Sequence, residues 1–170
     1  EAGDVDAVVL CTDSDQLQRL AESWGFPVLM TSAECSSGSE RIASVADALM
    51  ALAWDDQPAD PARTAVINVQ GDQPFIDPLV IDAMVAEFQR RDLLPEVVTP
   101  VYGLGEETVH NPNVVKTLLA HDGRALYFSR SAIPHVRDVD PADWHHHTTY
   151  WGHVGMYGFR GDVLTAWGQL

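Results

Sequence analysis

Short apolar runs alternate with amphipathic segments through the first half of the chain. The runs "VDAVVLCTD", "PVLM" and "TAVINV" are mostly apolar and rich in β-branched residues, which predicts buried strands. Apolar residues recur at helical spacing in three segments that begin near Ser14, Glu40 and Pro78. This alternation of strands and helices is typical of βαβ units with parallel strand pairing.

The second half of the chain has a different pattern, in which strands dominate. The runs "EVVTPVYG", "VVKTLLA", "ALYFSR" and "TYWGHVGMYGFR" are typical of strands, and His121-Asp122-Gly123 predicts a hairpin between the second and the third. Residues 134–148 are predicted as a polar loop. The chain as a whole therefore predicts an α/β fold with a mixed, mainly parallel sheet that gains antiparallel strands late.

Length and charge narrow the classes of protein that the chain can represent. The 170 residues are enough for one domain with a hydrophobic core. They include 25 acidic and 10 basic side chains, a formal net charge of -15. Such a charge repels nucleic acid and anionic membrane surfaces, so neither is expected as a partner. An anionic ligand must then be bound by a few placed cations, by backbone N–H groups or by a metal ion.

The cysteines and the two ends of the chain indicate in which cellular compartment the protein lies and whether the chain is part of a longer protein. Cys11 and Cys35 form neither a disulfide framework nor a metal-binding pair such as C-x-x-C. No apolar run approaches the length of a membrane span, and no signal-peptide pattern opens the chain. A cytoplasmic protein is therefore expected. Because the chain starts at Glu1 without a methionine and stops at Leu170 within an amphipathic segment, we expect the middle of a longer protein.

Three polar segments are expected at one edge of the sheet, beyond the carboxyl ends of the first strands, where open α/β sheets bind ligands. They are Thr12-Asp13, residues 31–41 and residues 70–74. The second contains Ser36, Ser37, Gly38 and Ser39 just before a helix. These residues can form a polar ligand cradle or an ordinary helix start capped by Ser39. Spacing alone favours the capping interpretation.

Asp72 follows an apolar strand in "VINVQGDQP". An aspartate between a glycine and a nearby proline is common in turns. Magnesium in turn is usually bound by one or two carboxylates together with substrate phosphates. The residues alone leave both interpretations open.

Candidate polar residues in the second half are Lys116 after "HNPNVV", Arg130 at the end of an aromatic strand, and the pair His153 and Tyr157. A His and a Tyr four apart on one strand point the same way and can line one pocket. The alternative, a core face whose polar tips are satisfied, is preferred for each residue taken singly. His145-His146-His147 favours a solvated loop over a zinc site, because adjacent extended residues point to opposite sides.

Six segments together resemble the 3-deoxy-manno-octulosonate cytidylyltransferase (CMP-Kdo synthetase) family: "VVLCTD", "CSSGSERIA", "VINVQGDQP", "NPNVVK", "ALYFSRSAIP" and "HVGMYGFR". They occur in the family's order over nearly the whole chain. The resemblance implies a Rossmann-like three-layer α/β/α nucleotidyltransferase fold, one domain over residues 1–170, and a homodimer. It implies the joining of CTP and Kdo to CMP-Kdo and pyrophosphate with Mg²⁺, for lipopolysaccharide-type glycans. Residues 97–160 would carry the sugar-binding and dimerisation part.

The resemblance also implies roles for single residues. Asp72 would be the magnesium ligand, and Ser36, Ser37, Gly38, Ser39, Glu40 and Arg41 would lie along the cytidine. The sugar acid would be held by Gln70, Arg130, His153 and Tyr157, with Asn113 and Lys116 near it. Asp72, Gln70 and Arg130 would be the catalytic group among these.

The sequence departs from the family pattern at both ends. The family's phosphate-binding loop near the N-terminus and its C-terminal magnesium aspartate are not among these residues. We therefore expect residues 1–170 alone to be inactive. Two alternatives remain: a cytidylyltransferase for another sugar acid of the sialic acid type, and a truncated homologue that binds nucleotide without turnover.

Overall fold

The computed structural model describes residues 5–54, 57–90 and 94–169, and the chain divides into two compact units. Unit 1 comprises residues 1–98 and 156–170, and unit 2 comprises Thr99–Gly155. Unit 2 is therefore inserted into the sequence of unit 1. None of the described helices is long and apolar enough to cross a membrane.

Unit 1 contains helices and strands from both ends of the chain. Its strands are β1 (Leu10–Thr12), β2 (Val28–Met30), β3 (Ala53–Trp54), β4 (Gln57–Pro58), β5 (Ala65–Asn68), β6 (Val97–Val98) and β11 (Tyr157–Arg160). Its α-helices are α1 (Asp15–Ser23), α2 (Gly38–Ala43), α3 (Ala46–Ala51), α4 (Pro78–Gln89) and α7 (Gly161–Trp167). A 3₁₀ turn spans Pro61–Arg63.

The first βαβ unit forms as the sequence predicts. Ser14 caps α1 by accepting a hydrogen bond from Leu17 N, and Gly25, with φ +83°, follows the helix in a conformation that glycine adopts readily. Strands β1 and β2 then pair in parallel, with Leu10 opposite Val28 and Thr12 opposite Met30. Their carboxyl ends consequently lie side by side.

A second sheet of unit 1 has the order β5-β11-β6, and both of its pairings are antiparallel. One of its faces contacts α4, where Phe88 and Met84 are buried next to Gly158 of β11. A hydrophobic cluster includes Phe159 of β11, Leu164 of α7 and residues of α2 and α3. This cluster places α2 in the core of unit 1, with its first turn directed to the end of β5.

Unit 2 is built on a four-stranded antiparallel sheet of order β7-β10-β8-β9. Its elements are β7 (Val101–Gly103), α5 (Glu106–Val109), β8 (Lys116–Leu119), β9 (Ala125–Ser129), α6 (Trp144–His147) and β10 (Trp151–His153). The β8–β9 hairpin turns at Gly123, with φ +86°, as the sequence predicts. Trp144, Tyr150 and Val109 form its buried hydrophobic cluster.

Several expectations from the sequence need correction. Among the described strand pairs, β1–β2 is parallel and the others are antiparallel, because β5 pairs with the late strand β11. The run "TYWGHVGMYGFR" is not one strand: β10 ends at His153, and β11 begins at Tyr157 in another sheet. Residues 134–148 are not simply a loop, since a 3₁₀ turn over Pro141–Asp143 leads into α6, which contains all three adjacent histidines.

Candidate active site

The α2 entry loop, Ser36 to Arg41, begins the helix with a modified capping box. Ser37 is the N-cap, and its Oγ accepts a hydrogen bond from Glu40 N at 3.1 Å. Glu40 Oε2 in turn accepts from Ser36 N at 2.8 Å and from Ser36 Oγ at 2.5 Å. These bonds lower the pKa of Glu40, because they stabilise its charged form. The prediction that Ser39 caps the helix is wrong, since Ser39 lies inside α2 and is buried.

Arg41 connects the ends of the two parallel strands. Its guanidinium donates to Thr31 Oγ1 at 2.5 Å, to Ser32 O at 3.4 Å and to Asp13 Oδ2 at 3.4 Å. Thr31 and Asp13 directly follow β2 and β1. The first two of the three predicted polar segments therefore meet at this edge, and Arg41 holds them together.

The third segment meets α2 at Gly38. A Cβ atom on Gly38 would lie 3.3 Å from Asn68 Nδ2 and 3.5 Å from Gln70 Cδ, so only glycine allows this close approach without displacing a neighbour. Asn68 is 7% exposed, and its Nδ2 has no hydrogen-bond partner within the described parts of the chain. Buried amide groups are normally hydrogen-bonded. Asn68 is therefore a candidate ligand donor that the sequence did not suggest, although an Asn within the apolar run "AVINV" is a visible signal.

Asp72 lies in the turn that follows β5. Gln73 N donates to Gln70 O at 3.1 Å, which closes a turn with Gly71 and Asp72 at its centre. The Asp72 side chain is exposed, and no hydrogen bond or ion pair to its carboxylate is found among the described residues. The turn and ligand interpretations are therefore compatible, because the turn holds the backbone and leaves the carboxylate open to solvent.

Ser39 and Tyr157 line a largely apolar cavity of about 290 Å³ in unit 1. Its other lining residues are Val97, Phe159, Val163 and Trp167. Tyr157 is opposite Asn68 in the β5–β11 register, and its ring is 6.1 Å from that of Phe159. Ser39 is thus buried at this cavity, whereas Ser36 and Ser37 are exposed.

His153 lies at the end of β10 in unit 2. Its Nε2 is 2.7 Å from Thr99 Oγ1, and its ring packs against that of Phe128 in a T-shaped arrangement at a centroid distance of 4.9 Å. Partial burial lowers the pKa of His153, because it disfavours the imidazolium form. Because the chain changes sheet between His153 and Tyr157, the prediction that both project from one strand face is wrong.

Lys116 and Arg130 lie next to each other in unit 2. Lys116 is 0% exposed, whereas Arg130 is exposed after β9. Lys116 Nζ donates to the backbone oxygen of Arg130 at 3.0 Å, and Arg130 Nη1 donates to the backbone oxygen of Asn113 at 3.2 Å. The predicted contact between Lys116 and a substrate has no geometric support, because the ammonium group is enclosed by protein.

The structure thus groups the predicted site residues within each unit. In unit 1 the α2 entry loop meets Gln70, and Asp72 follows two residues later. In unit 2, Arg130, Lys116 and Asn113 lie together. That residues of both groups bind one sugar acid stays a prediction.

Residues 1–168 match the family model described as Cytidylyltransferase. The 3-deoxy-manno-octulosonate cytidylyltransferase of Porphyromonas gingivalis is 37% identical over 164 residues, which are 95% of this chain and 61% of that protein. The protein of the same name from Myxococcus xanthus is 36% identical over 170 residues, with 100% and 62% covered. The chain therefore spans about 60% of the length of these curated relatives.

A solved structure of CMP:2-keto-3-deoxy-manno-octonic acid synthetase complexed with CTP is similar over the whole chain. The TM-score is 0.81 at 29% identity, and the match covers 100% of this chain and 63% of the other. This match confirms that the chain has the predicted α/β fold of the nucleotidyltransferase class. The chain belongs to the cytidylyltransferase family.

Proposed function

We propose that the protein containing this chain activates Kdo with CTP, giving CMP-Kdo and pyrophosphate. The observation that carries the proposal is the exposed Asp72 carboxylate, which has no partner among the described residues and lies two residues after Gln70 at the α2 entry loop, in a chain whose relatives bear that enzyme's name. The solved neighbour is complexed with CTP, which supports CTP as the nucleotide. A lipopolysaccharide-type pathway follows from the proposed product.

The α2 entry loop is proposed to lie along the cytidine. Ser36 and Ser37 are exposed, and Asn68 Nδ2 offers a buried donor close to Gly38. Ser37 N-caps the helix, so the loop is held in one conformation before a ligand arrives. Preorganised donors of this kind lower the cost of ordering a ligand.

Mg²⁺ is the proposed cofactor, and Asp72 is the proposed ligand. A single open carboxylate fits this ion, because Mg²⁺ commonly takes one or two carboxylates and completes its coordination with phosphates and water. When bound, the ion would offset the negative charge of the α-phosphate during substitution. Asp72 would then hold the ion together with phosphate oxygens of the substrate.

Arg130 and His153 are proposed to bind the sugar acid in unit 2, and Gln70 and Tyr157 retain the same predicted role. Arg130 is exposed, and a guanidinium can bind a carboxylate through two parallel hydrogen bonds. The sugar hydroxyl oxygen would bond to the α-phosphorus as the P–O bond to pyrophosphate breaks, and the hydroxyl proton would be lost to solvent. Positioning of the two anionic substrates would supply much of the rate acceleration, and no protein nucleophile is required.

A cytoplasmic homodimer is proposed for the assembled enzyme. Strand β9 is an edge of the unit 2 sheet, and Leu126 and Tyr127 are 62% and 63% exposed. An uncovered edge strand with apolar side chains favours pairing with another chain. The same strand of a second copy can pair with the backbone groups of this edge, which gives a dimer with closed, twofold symmetry.

The intact gene product that carries residues 1–170 tests the proposal directly. Pyrophosphate release is measured with CTP and Mg²⁺, using Kdo and a sialic acid in parallel assays. The proposal expects turnover with Kdo and little with sialic acid. The reverse preference would identify the neighbouring activity, and CTP binding without turnover on either would identify an inactive homologue.

Asp72→Asn should reduce turnover by a factor on the order of 10² or more, because it removes a charge proposed to hold the metal. Asp77→Asn is the matched control, since Asp77 caps α4 by accepting from Leu79 N at 3.0 Å and Asn caps equally well. Full Mg²⁺-dependent turnover of the Asp72 variant would exclude it from the metal site.

A further inference from the structure

Lys116 is the single lysine of the chain, and it is completely buried. Its ammonium nitrogen donates to three backbone oxygens: Asn111 O at 2.5 Å, Val114 O at 2.9 Å and Arg130 O at 3.0 Å. An ammonium group has three protons. All three are therefore used within the protein, and none remains for a ligand.

Arg130 contacts the same short turn from outside. Its Nη1 donates to Pro112 O at 3.1 Å and to Asn113 O at 3.2 Å. The backbone oxygens of residues 111 to 114 thus all accept from one of two cations. The turn itself is closed by Val114 N donating to Asn111 O at 3.1 Å and by Asn113 N donating to Asn111 Oδ1 at 2.9 Å.

Within the described residues, Lys116 and Arg130 donate hydrogen bonds to neutral backbone oxygens. Neither Lys116 nor Arg130 forms a salt bridge with a carboxylate in the described part of the chain, whereas Arg41, Arg124 and Arg160 do. Burial of Lys116 and the nearby charge of Arg130 both lower the pKa of the lysine. Positive charge is therefore concentrated here, in a protein whose formal net charge is -15.

We infer that Lys116 is a positioning residue for Arg130: it fastens the turn of residues 111–114 to the carboxyl end of β9 and thereby directs the guanidinium toward an anionic ligand. The inference rests on the proposed function in one respect, which is that Arg130 receives the carboxylate of the sugar acid. It replaces the predicted direct contact between Lys116 and the substrate.

The geometry explains how the turn held by Lys116 would help Arg130 to bind a carboxylate. Both protons of Arg130 Nη1 are taken by the turn, which fixes the plane of the guanidinium and leaves the edge formed by Nε and Nη2 for a carboxylate. A carboxylate partner for Lys116 would weaken the attraction of Arg130 for an anion. Backbone oxygens satisfy the ammonium group without cancelling its charge.

Amine labelling of the single lysine tests the buried position. Residue 116 of the native protein should react far more slowly with an acylating reagent than in the urea-unfolded protein, as judged by peptide mass spectrometry, and added Kdo should not change the rate. Rapid labelling of the free protein that Kdo then suppresses would mean that Lys116 contacts the substrate, and would overturn the inference. This readout does not depend on turnover.

Lys116→Met in the intact gene product tests the positioning role, with Thr117→Val as the matched control. Thr117 is also buried in β8, and its Oγ1 donates to Tyr127 O of the same neighbouring strand at 3.0 Å. Lys116→Met should raise the KM for Kdo roughly ten- to hundredfold, the range seen when residues that orient a ligand-binding group are lost. The KM for CTP should be unchanged, and Thr117→Val should alter neither KM.

Equal changes of both KM values in the two variants would overturn the inference, since they would show a general loss of structure. If the Lys116→Met variant does not fold, the positioning role is tested in the wild-type protein instead. ¹⁵N NMR of the labelled lysine then measures the pKa of Lys116 with and without Kdo. Kdo should raise the pKa of Lys116, because its carboxylate offsets the charge of Arg130. An unchanged pKa at saturating Kdo would refute the positioning role. The proposed function is judged separately, by turnover of the wild-type protein.

Discussion

At the scale of single residues, polar side chains in this protein differ mainly in how completely the protein itself satisfies them. Glu40 and Arg41 are engaged in the structure of the α2 entry loop, whereas the Asp72 carboxylate has no partner among the described residues. Water solvates an exposed carboxylate, so leaving that of Asp72 without a protein partner costs little free energy of folding. The fold therefore does not depend on an acidic side chain at this position. A metal could therefore bind the Asp72 side chain, in the turn after β5, without disrupting the structure.

His153 should make folding stability depend on pH. Because its pKa is lowered in the folded state, the unfolded chain binds more protons between that lowered value and about 6.5, the ordinary pKa of histidine. The free energy of unfolding should therefore fall as the pH is lowered through this window. Urea unfolding at pH 7.5 and pH 5 measures the change, and His153→Gln should reduce it.

His121→Gln is the matched control for that experiment. His121 is exposed in the turn between β8 and β9, so its replacement should leave the pH dependence as in the wild type. An identical pH dependence in the wild type and the His153 variant would show that other groups account for the acid sensitivity.

At the scale of elements, two glycines let helices pack closely against strands. Gly38 lets α2 approach the end of β5, and Gly158 lets α4 approach β11. A glycine in a strand interior weakens the strand by itself. Its presence in β11 is explained by the ring of Phe88, which occupies the space that a Cβ atom would need.

Gly158→Ala should destabilise unit 1 by about 1–3 kcal/mol, the usual cost of overpacking. The new Cβ would lie 2.7 Å from Phe88 Cε2 and 3.3 Å from Met84 Cε, and both side chains are buried. Gly103→Ala in β7 is the control, since no atom lies within 4 Å of its added Cβ. Denaturant unfolding of both variants measures the difference, and equal stabilities would contradict the packing explanation.

The helices and strands were easier to predict than their ends and partners. Local signals predicted α1, which begins near Ser14, and the hairpin at Gly123, because helix starts and turns depend on a few neighbouring residues. The break between β10 and β11 has no such signal, since the strand pattern continues while the pairing partners change. Likewise, Ser37 rather than Ser39 caps α2, because packing buries Ser39.

The sequence predicted which segments form the candidate site better than it predicted which of their side chains are accessible to a ligand. The sequence indicated that Asp13, Thr31 and Gln70 lie at one sheet edge. Arg41 does join Asp13 to Thr31, and Gly38 of α2 lies close to Gln70, but β5 belongs to a different sheet from β1 and β2. Burial could not be predicted in the same way. Lys116 looked like an available cation, and only the three-dimensional arrangement shows that backbone oxygens enclose its ammonium group.

At the scale of the whole molecule, charge and association are linked. A net charge of -15 opposes the approach of another copy unless apolar contact outweighs the repulsion. Strand β9 provides such a surface, since all but one of its residues are exposed, including Leu126 and Tyr127. Dimerisation through β9 is therefore expected to strengthen with salt, which screens the repulsion.

Tyr127→Glu should convert the proposed dimer to a monomer, because it places a charge in the centre of the apolar strand surface. Size-exclusion chromatography with light scattering measures the mass at several protein concentrations. Leu79→Glu is the control: Leu79 is 70% exposed in α4 of unit 1, and its replacement should leave the mass unchanged. A wild-type monomer at all concentrations would refute the dimer.

The insertion of unit 2 has an evolutionary consequence. The chain leaves unit 1 after β6 and returns at β11, two strands that pair directly, with Val98 opposite Gly158. At the base of the insertion, Val154 N donates to Pro100 O at 3.0 Å and Thr99 Oγ1 donates to Val154 O at 3.3 Å, so its two ends are tied together. Natural selection can therefore lengthen, shorten or exchange the inserted module while the register of β11 against β5 stays the same. Within such a lineage, the sugar-binding residues proposed in unit 2 can change without altering the part of unit 1 proposed to bind the nucleotide.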